Sequence, residues 1–353
     1  MIDKKLFWII ISVGLLTFVS CGNDKKRPNQ PDKIEVKETP LKLTFLRFEK
    51  DVFEPKADID SLTIKQLKEK YGKFFDLWCF RLSGILPPTI SNPSDAYIAF
   101  NLNQYRNDKY INEVYGTCQA KFDKDDWMRE ELTPAFKIYA TIFPGKIIPE
   151  IITYVSPFTS NIMAMDSAVG IGLHFYLGND YKYYPSLQMP RYMTRKFSKE
   201  YMASDLLRGW LDSEYNNDSV QKNCLSQIIY AGKNLYALDL LLPDTDDSIK
   251  IGYTSSQIEW AYANEQKIWA FLIDQKLLYS MNAKLYMKYI NDGMTTSGFP
   301  TEAPAKLGAF IGWQIIRSYM MNNKNVSLQD LYKIQDAQII LASSAYKPTK
   351  PKS

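Results

Sequence analysis

An apolar run too short to cross a bilayer opens the chain, and it separates a leader from a body. Met-Ile-Asp-Lys-Lys leads into Leu6 to Val19, which ends at Ser20-Cys21. A spanning helix needs roughly 20 apolar residues, whereas a charged start followed by about 7–15 is the form of a secretory signal. The alternative, an uncleaved anchor, fits the short run less well. With a small residue at Ser20, Cys21 reads as a lipidated first residue of the mature chain, so residues 1–20 are a lipoprotein signal peptide. Residues 21–40, with Pro28, Pro31 and Pro40 among charged neighbours and no apolar periodicity, read as a flexible linker. Extended, the linker would reach roughly 60 Å. A folded body is expected from 41 to 347, with a disordered tail from 348 to 353.

Composition narrows the function of that body. Removing residues 1–20 takes away Lys4, Lys5 and Asp3 and leaves Lys+Arg 41 against Asp+Glu 38. The balance gives no electrostatic case for nucleic acid. At 46% hydrophobic and 14% aromatic the chain can bury a large core. Beyond Cys21 there are Cys79, Cys118 and Cys224, an odd and widely spaced set that reads as buried small hydrophobes. The chain has one histidine, His174. A His-Glu-x-x-His zinc helix needs two, so no metal site or cofactor is expected. His174 itself lies in an apolar stretch and reads as a hydrogen-bonded structural residue of a strand.

The coarse order of elements is α+β, helix-rich, with a small central sheet. Strands are expected at Leu41–Phe48, Pro149–Val155 and Ala164–Tyr176. Apolar spacing of 3–4 predicts helices over Leu62–Leu82, Thr133–Ile142 (Pro134 in its first turn), Ser198–Leu211, Asn223–Leu242, Ser255–Leu278 and Ala305–Met321, and a short one over Leu328–Lys333 capped by Ser327. The segments Tyr97–Asn103 and Asn107–Tyr115 read as helical and loop-rich, and the tail from Tyr346 as loose.

Three ordered blocks carry a resemblance. They are Ile171-Gly172-Leu173-x-x-Tyr176-Leu177-Gly178-x-Asp180-Tyr181-x-Tyr183-Tyr184-Pro185, then Ile228-Ile229-Tyr230-x-Gly232-Lys233-x-Leu235-Tyr236 running on to Leu241-Leu242-Pro243, then Glu302-Ala303-Pro304-Ala305-Lys306-Leu307-Gly308-x-Phe310-Ile311-Gly312-Trp313-Gln314-Ile315-Ile316-Arg317-Ser318-Tyr319-Met320. Together they resemble the gliding motility lipoprotein GldB family of Bacteroidota. The resemblance implies a scaffold like that of gluzincin-type zinc peptidases, with Asn223–Leu242 in the place of the metal-bearing helix. That helix has Gln227 and Ala231 where a histidine pair would stand. The resemblance also implies a non-catalytic lipoprotein of the cell envelope, on the periplasmic or surface side with the outer membrane favoured. It would be tethered by its lipid and partnered with proteins of gliding motility and the associated secretion. A hydrolase of peptides or glycans with an unrecognised site, and a ligand-binding lipoprotein serving a transporter, are the alternatives.

Candidate partner or groove residues are suggested by residue type. Arg208 and Trp210, beside Asp205 and Asp212, combine an interface-prone pair with a structural ion-pair reading. Gln227, Lys233 and Tyr236 lie on the helix that would carry zinc. Gly232 there, and Gly308-x-x-x-Gly312 on the last strong helix, suggest close helix packing. Trp313 and Arg317 stand on that last helix too, with Glu302 as a candidate partner for Arg317. The acidic run Asp244, Asp246 and Asp247 reads as a solvated loop, since the pattern of a calcium loop is missing.

Overall fold

The computed structural model describes residues 29–36, 41–124, 126–215 and 223–348. Cys21, the signal segment and the last five residues lie outside them. The architecture is α+β. A four-stranded mixed sheet has the order β1-β2-β4-β3, with β1 (Phe45–Arg47) and β4 (Ala168–Gly172) each parallel to β2 (Glu150–Tyr154), and β3 (Ile162–Ala164) antiparallel to β4. Strand β2 is buried on both faces, as its run of apolar residues implies. Ile151 and Val155 enter the larger core and Ile152 and Tyr154 a smaller one, so the sheet divides two hydrophobic interiors.

The smaller interior is held by the N-terminal helices. α1 (Phe48–Phe53) follows β1 directly, so the expected strand over Leu41–Phe48 is cut short. The helix expected over Leu62–Leu82 is broken. α2 (Ser61–Tyr71) stops at Gly72, whose φ of 51° only glycine adopts cheaply, and α3 (Lys73–Leu77) passes into a π-helical turn at Trp78–Leu82. That turn delivers Trp78 to the sheet, where its indole donates to Val155 O at 3.1 Å and its ring packs edge-on against Phe48. α4 (Asp95–Asn107), α5 (Lys109–Phe122) and α6 (Asp126–Ile142) come next. α6 begins seven residues earlier than the sequence suggests, so Pro134 stands inside it. There it is exposed, and water can meet the carbonyl that its missing N–H leaves.

After β4 the chain turns into a short 3₁₀ helix at Leu173–Tyr176 instead of continuing as strand. α7 (Arg191–Thr194) and α8 (Met202–Glu214) lead to the central pair of the larger interior, α9 (Cys224–Leu241) and, much later, α14 (Leu307–Asn322). Between them run α10 (Asp247–Ile251), α11 (Ser255–Ala263), α12 (Glu265–Asp274) and α13 (Ala283–Tyr286). The single helix expected over Ser255–Leu278 is therefore two. Asn264 separates them by turning its own amide onto Trp260 O at 2.9 Å, the local competition that makes asparagine a helix breaker. α15 (Leu328–Lys333) is capped by Ser327 as expected, and α16 (Ala337–Ser344) is an additional helix that the apolar spacing does not predict. Tyr346 is not loose, since its hydroxyl donates to Glu265 at 2.8 Å and its ring meets Trp269.

α9 and α14 touch backbone to backbone. A methyl on Gly312 would overlap Ile228 O, one on Gly232 would overlap the Gly312 carbonyl, and one on Gly308 would sit 2.9 Å from Tyr289 O. Contacts advance in the same sense along both helices, from Ile228 against Gly308 to Asp239 against Arg317.

Candidate functional site

Beyond the glycine contact, α9 and α14 bring opposite charges together in the core. Asp239 sits in an otherwise apolar turn of α9, and Arg317 is fully buried on α14. The Arg317 fork donates from Nε and Nη2 to the two Asp239 oxygens, both at 2.7 Å. Its Nη1 and Nη2 donate to Asp247 on α10 at 3.0 and 2.9 Å, and Nη1 also reaches the Tyr262 hydroxyl on α11 at 2.7 Å. All five guanidinium donors are thereby used. The Trp313 indole donates to Asp239 at 2.8 Å while its ring lies 3.9 Å under the guanidinium. Lys250 completes the set, with Nζ 3.0 Å from Asp239 and 3.7 Å from Asp247.

This frame is electrically balanced: one guanidinium and one ammonium face two carboxylates. Burial pushes the Asp247 carboxyl up, but Arg317 and the hydrogen bonds it makes outweigh this and hold it below the usual carboxylate range. Burial opposes the Arg317 charge, and Asp239 outweighs it, raising the group well above its ordinary value. Gln30 closes one side, its amide donating to Asp247 at 3.0 Å. Asp246 caps α10 through Ser248 N, and Asp244 pairs with Lys33. The acidic run is therefore not a solvated loop throughout, because Asp247 points into the core.

The residues singled out in the sequence separate into two groups. Trp313 and Arg317 are brought together in the frame. Arg317 does not pair with Glu302, which is exposed, because Asp239 and Asp247 already saturate it. Tyr236 lies one turn before Asp239 and is buried, its hydroxyl pushed up to about 12 by burial and then by Asp239. Lys233 is also buried and donates to Ile334 O at 2.6 Å, with burial pulling its ammonium down to about 8. Gln227 is half-buried at the start of the same helix. Trp210 is fully buried and so offers no accessible surface, whereas Arg208 is partly exposed and ion-paired to Asp205. Sequence reasoning missed Asp239, although a lone carboxylate in an apolar helix calls for a buried cation.

His174 and Ser156 form a second polar pair. His174 Nδ1 accepts from Ser156 N at 3.3 Å, which places the ring proton on Nε2, 3.1 Å from Ser156 Oγ. Both residues are fully buried, and among the described residues the ring's hydrogen-bond partners are the Ser156 amide and hydroxyl and not a carboxylate. Burial pulls the imidazole down to about 3. The pair is a satisfied core contact, although it sits on a 3₁₀ turn and not on a strand. Among the described residues no three His, Cys, Asp or Glu side chains come together in a metal-binding group, and Cys79, Cys118 and Cys224 are free and buried.

A cavity of about 270 Å³ lies apart from the frame, between the end of α6, the end of α8 and α15. Tyr215 and Tyr332 stack on each other in its wall, their ring centres 4.0 Å apart, with Phe143, Lys146 and Lys333 also lining it.

Residues 29–348 match the family described as gliding motility protein GldB. The chain belongs to that family of gliding-motility lipoproteins. No curated protein and no solved structure matches it.

Proposed function

We propose that this GldB family member is a non-catalytic accessory of the gliding motility apparatus and its associated protein secretion, tethered by lipid on Cys21 and working through protein partners. The outer membrane is the favoured location. The observation that carries this reading is the family match over the whole folded body, 29–348. The interior supports it. The helix that would bear a metal in a peptidase-like scaffold instead contributes Asp239 to a saturated ion-pair frame, and its partly solvent-facing Gln227 has no ligating companion at Ala231. Crosslinking in cells, followed by purification of the lipoprotein and identification of its companions, tests the proposal. Motility or secretion components are expected, and recovery of a nutrient transporter instead would overturn it.

The stacked tyrosine cavity favours a second reading, a small-ligand-binding lipoprotein. Its walls suit an apolar or ring-shaped group, and the lysines that line it, Lys146 and Lys333, are paired with Glu214 and Asp330. On that reading a ligand library would give a thermal shift that Tyr332→Ala removes, and a flat response across the library would dismiss it.

A further inference from the structure

Twelve large apolar side chains are exposed among the described residues, and four of them, Ile273, Tyr279, Met281 and Leu285, fall within thirteen consecutive positions. The run 273–288 carries Lys276, Lys284 and Lys288, all exposed, against one exposed carboxylate, Asp274, and no other follows from residue 275 to residue 291. The chain path forces these side chains outward. Leu277 and Leu278 are buried, and the carbonyls of Leu278 and Ser280 accept from Leu225 N at 2.8 Å and Cys224 N at 3.1 Å, which fastens the loop to the start of α9. Past the loop, Tyr286 and Tyr289 pack inward from the helical run 283–289, so Lys284, Leu285 and Lys288 lie on its outer side.

Apolar side chains ringed by lysines are poor material for a protein interface, where lysine is depleted. They suit a bilayer surface, where apolar groups enter the interface and ammoniums meet anionic headgroups. The tether reaches far enough. From Asp239, where Gln30 docks nearby, back to Cys224, α9 covers about 22 Å. Residues 21–29 span about 30 Å when extended.

We propose that the face formed by residues 273–288 rests on the anionic surface of the same bilayer that holds the N-terminal lipid. This rests on the lipoprotein reading above.

The test uses the mature chain from residue 21 with Cys21→Ser, so that no lipid is attached, mixed with vesicles of phosphatidylcholine alone or with about one-third phosphatidylglycerol. Sedimentation with the anionic vesicles only, weakened by high salt, is expected. Lys284→Gln with Lys288→Gln should lower the partition by roughly twenty-five-fold, about fivefold per lysine. Met281→Asp with Leu285→Asp should lower it at least about tenfold. Phe100→Asp, an exposed apolar position elsewhere, should leave it unchanged, and circular dichroism should show every variant folded. Failure of the parent chain to bind anionic vesicles, or binding that survives both patch variants, overturns the proposal. Self-association abolished by the same variants, without vesicle binding, would assign the face to a second copy and overturn it too. Palmitate labelling of the lipidated parent at Cys21 is read separately, so a failed anchor and a failed surface are distinguishable.

Discussion

Arg317 has every donor occupied, so its removal leaves two buried carboxylates to share the single ammonium of Lys250. Arg317→Met should destabilise the fold by roughly 3–5 kcal/mol, the usual consequence of leaving buried charge without its partner. Arg317→Lys should recover only part of this, because an ammonium cannot reproduce the two-pronged contact with Asp239. Urea unfolding of the two variants checks both. His174 carries a pH prediction. Its folded value of about 3 lies below the ordinary 6.5, so above pH 6.5 both states are neutral and the group contributes no slope. Below 6.5 the unfolded chain takes up a proton that the folded one refuses, and stability falls toward pH 3 by about 1.4 kcal/mol per unit. His174→Gln should flatten that part of the profile. The frame is half legible in the sequence. Arg317 stands out there, but residue type points to Glu302 as its partner. Asp239 is a single carboxylate among leucines, and only the tertiary crossing of α9 and α14 shows which cation it meets.

At the scale of elements, the close approach of α9 and α14 rests on glycines whose substitution no rotamer can relieve. Gly232→Ala or Gly312→Ala should cost about 3 kcal/mol or more, since a methyl would meet backbone. Gly116→Ala, in the exposed middle of α5 with nothing within 4 Å, should stabilise by about 1 kcal/mol. Thermal denaturation of the three variants gives the comparison. The packing role of these glycines is readable from their spacing. The breaks at Gly72 and Asn264 are not, because apolar periodicity runs on across both. There the local backbone decides: a left-handed glycine in one case, an amide turned onto its own helix in the other.

For the whole molecule, the linker is shorter than its composition implies. Residues 29–36 lie on the body, with Gln30 on Asp247, Lys33 on Asp244, and Ile34 and Val36 packed against the core. Charge and prolines give no sign of this docking, which depends on a groove formed by distant helices. Ile34→Ser with Val36→Ser should free the segment and speed tryptic cleavage after Lys33 roughly tenfold, the factor that about 1.4 kcal/mol of lost apolar burial carries. Docking also keeps the body nearer the membrane than a free linker would.

Complementation of a deletion strain, scored by colony spreading and by the proteins it exports, tests most directly that this chain acts as a tethered binder and not as a catalyst. Ser156→Ala and Glu302→Gln should restore wild-type behaviour, and Cys21→Ser should fail although the protein accumulates. Loss of function in Ser156→Ala or Glu302→Gln with the fold intact, or full rescue by Cys21→Ser, would contradict the account.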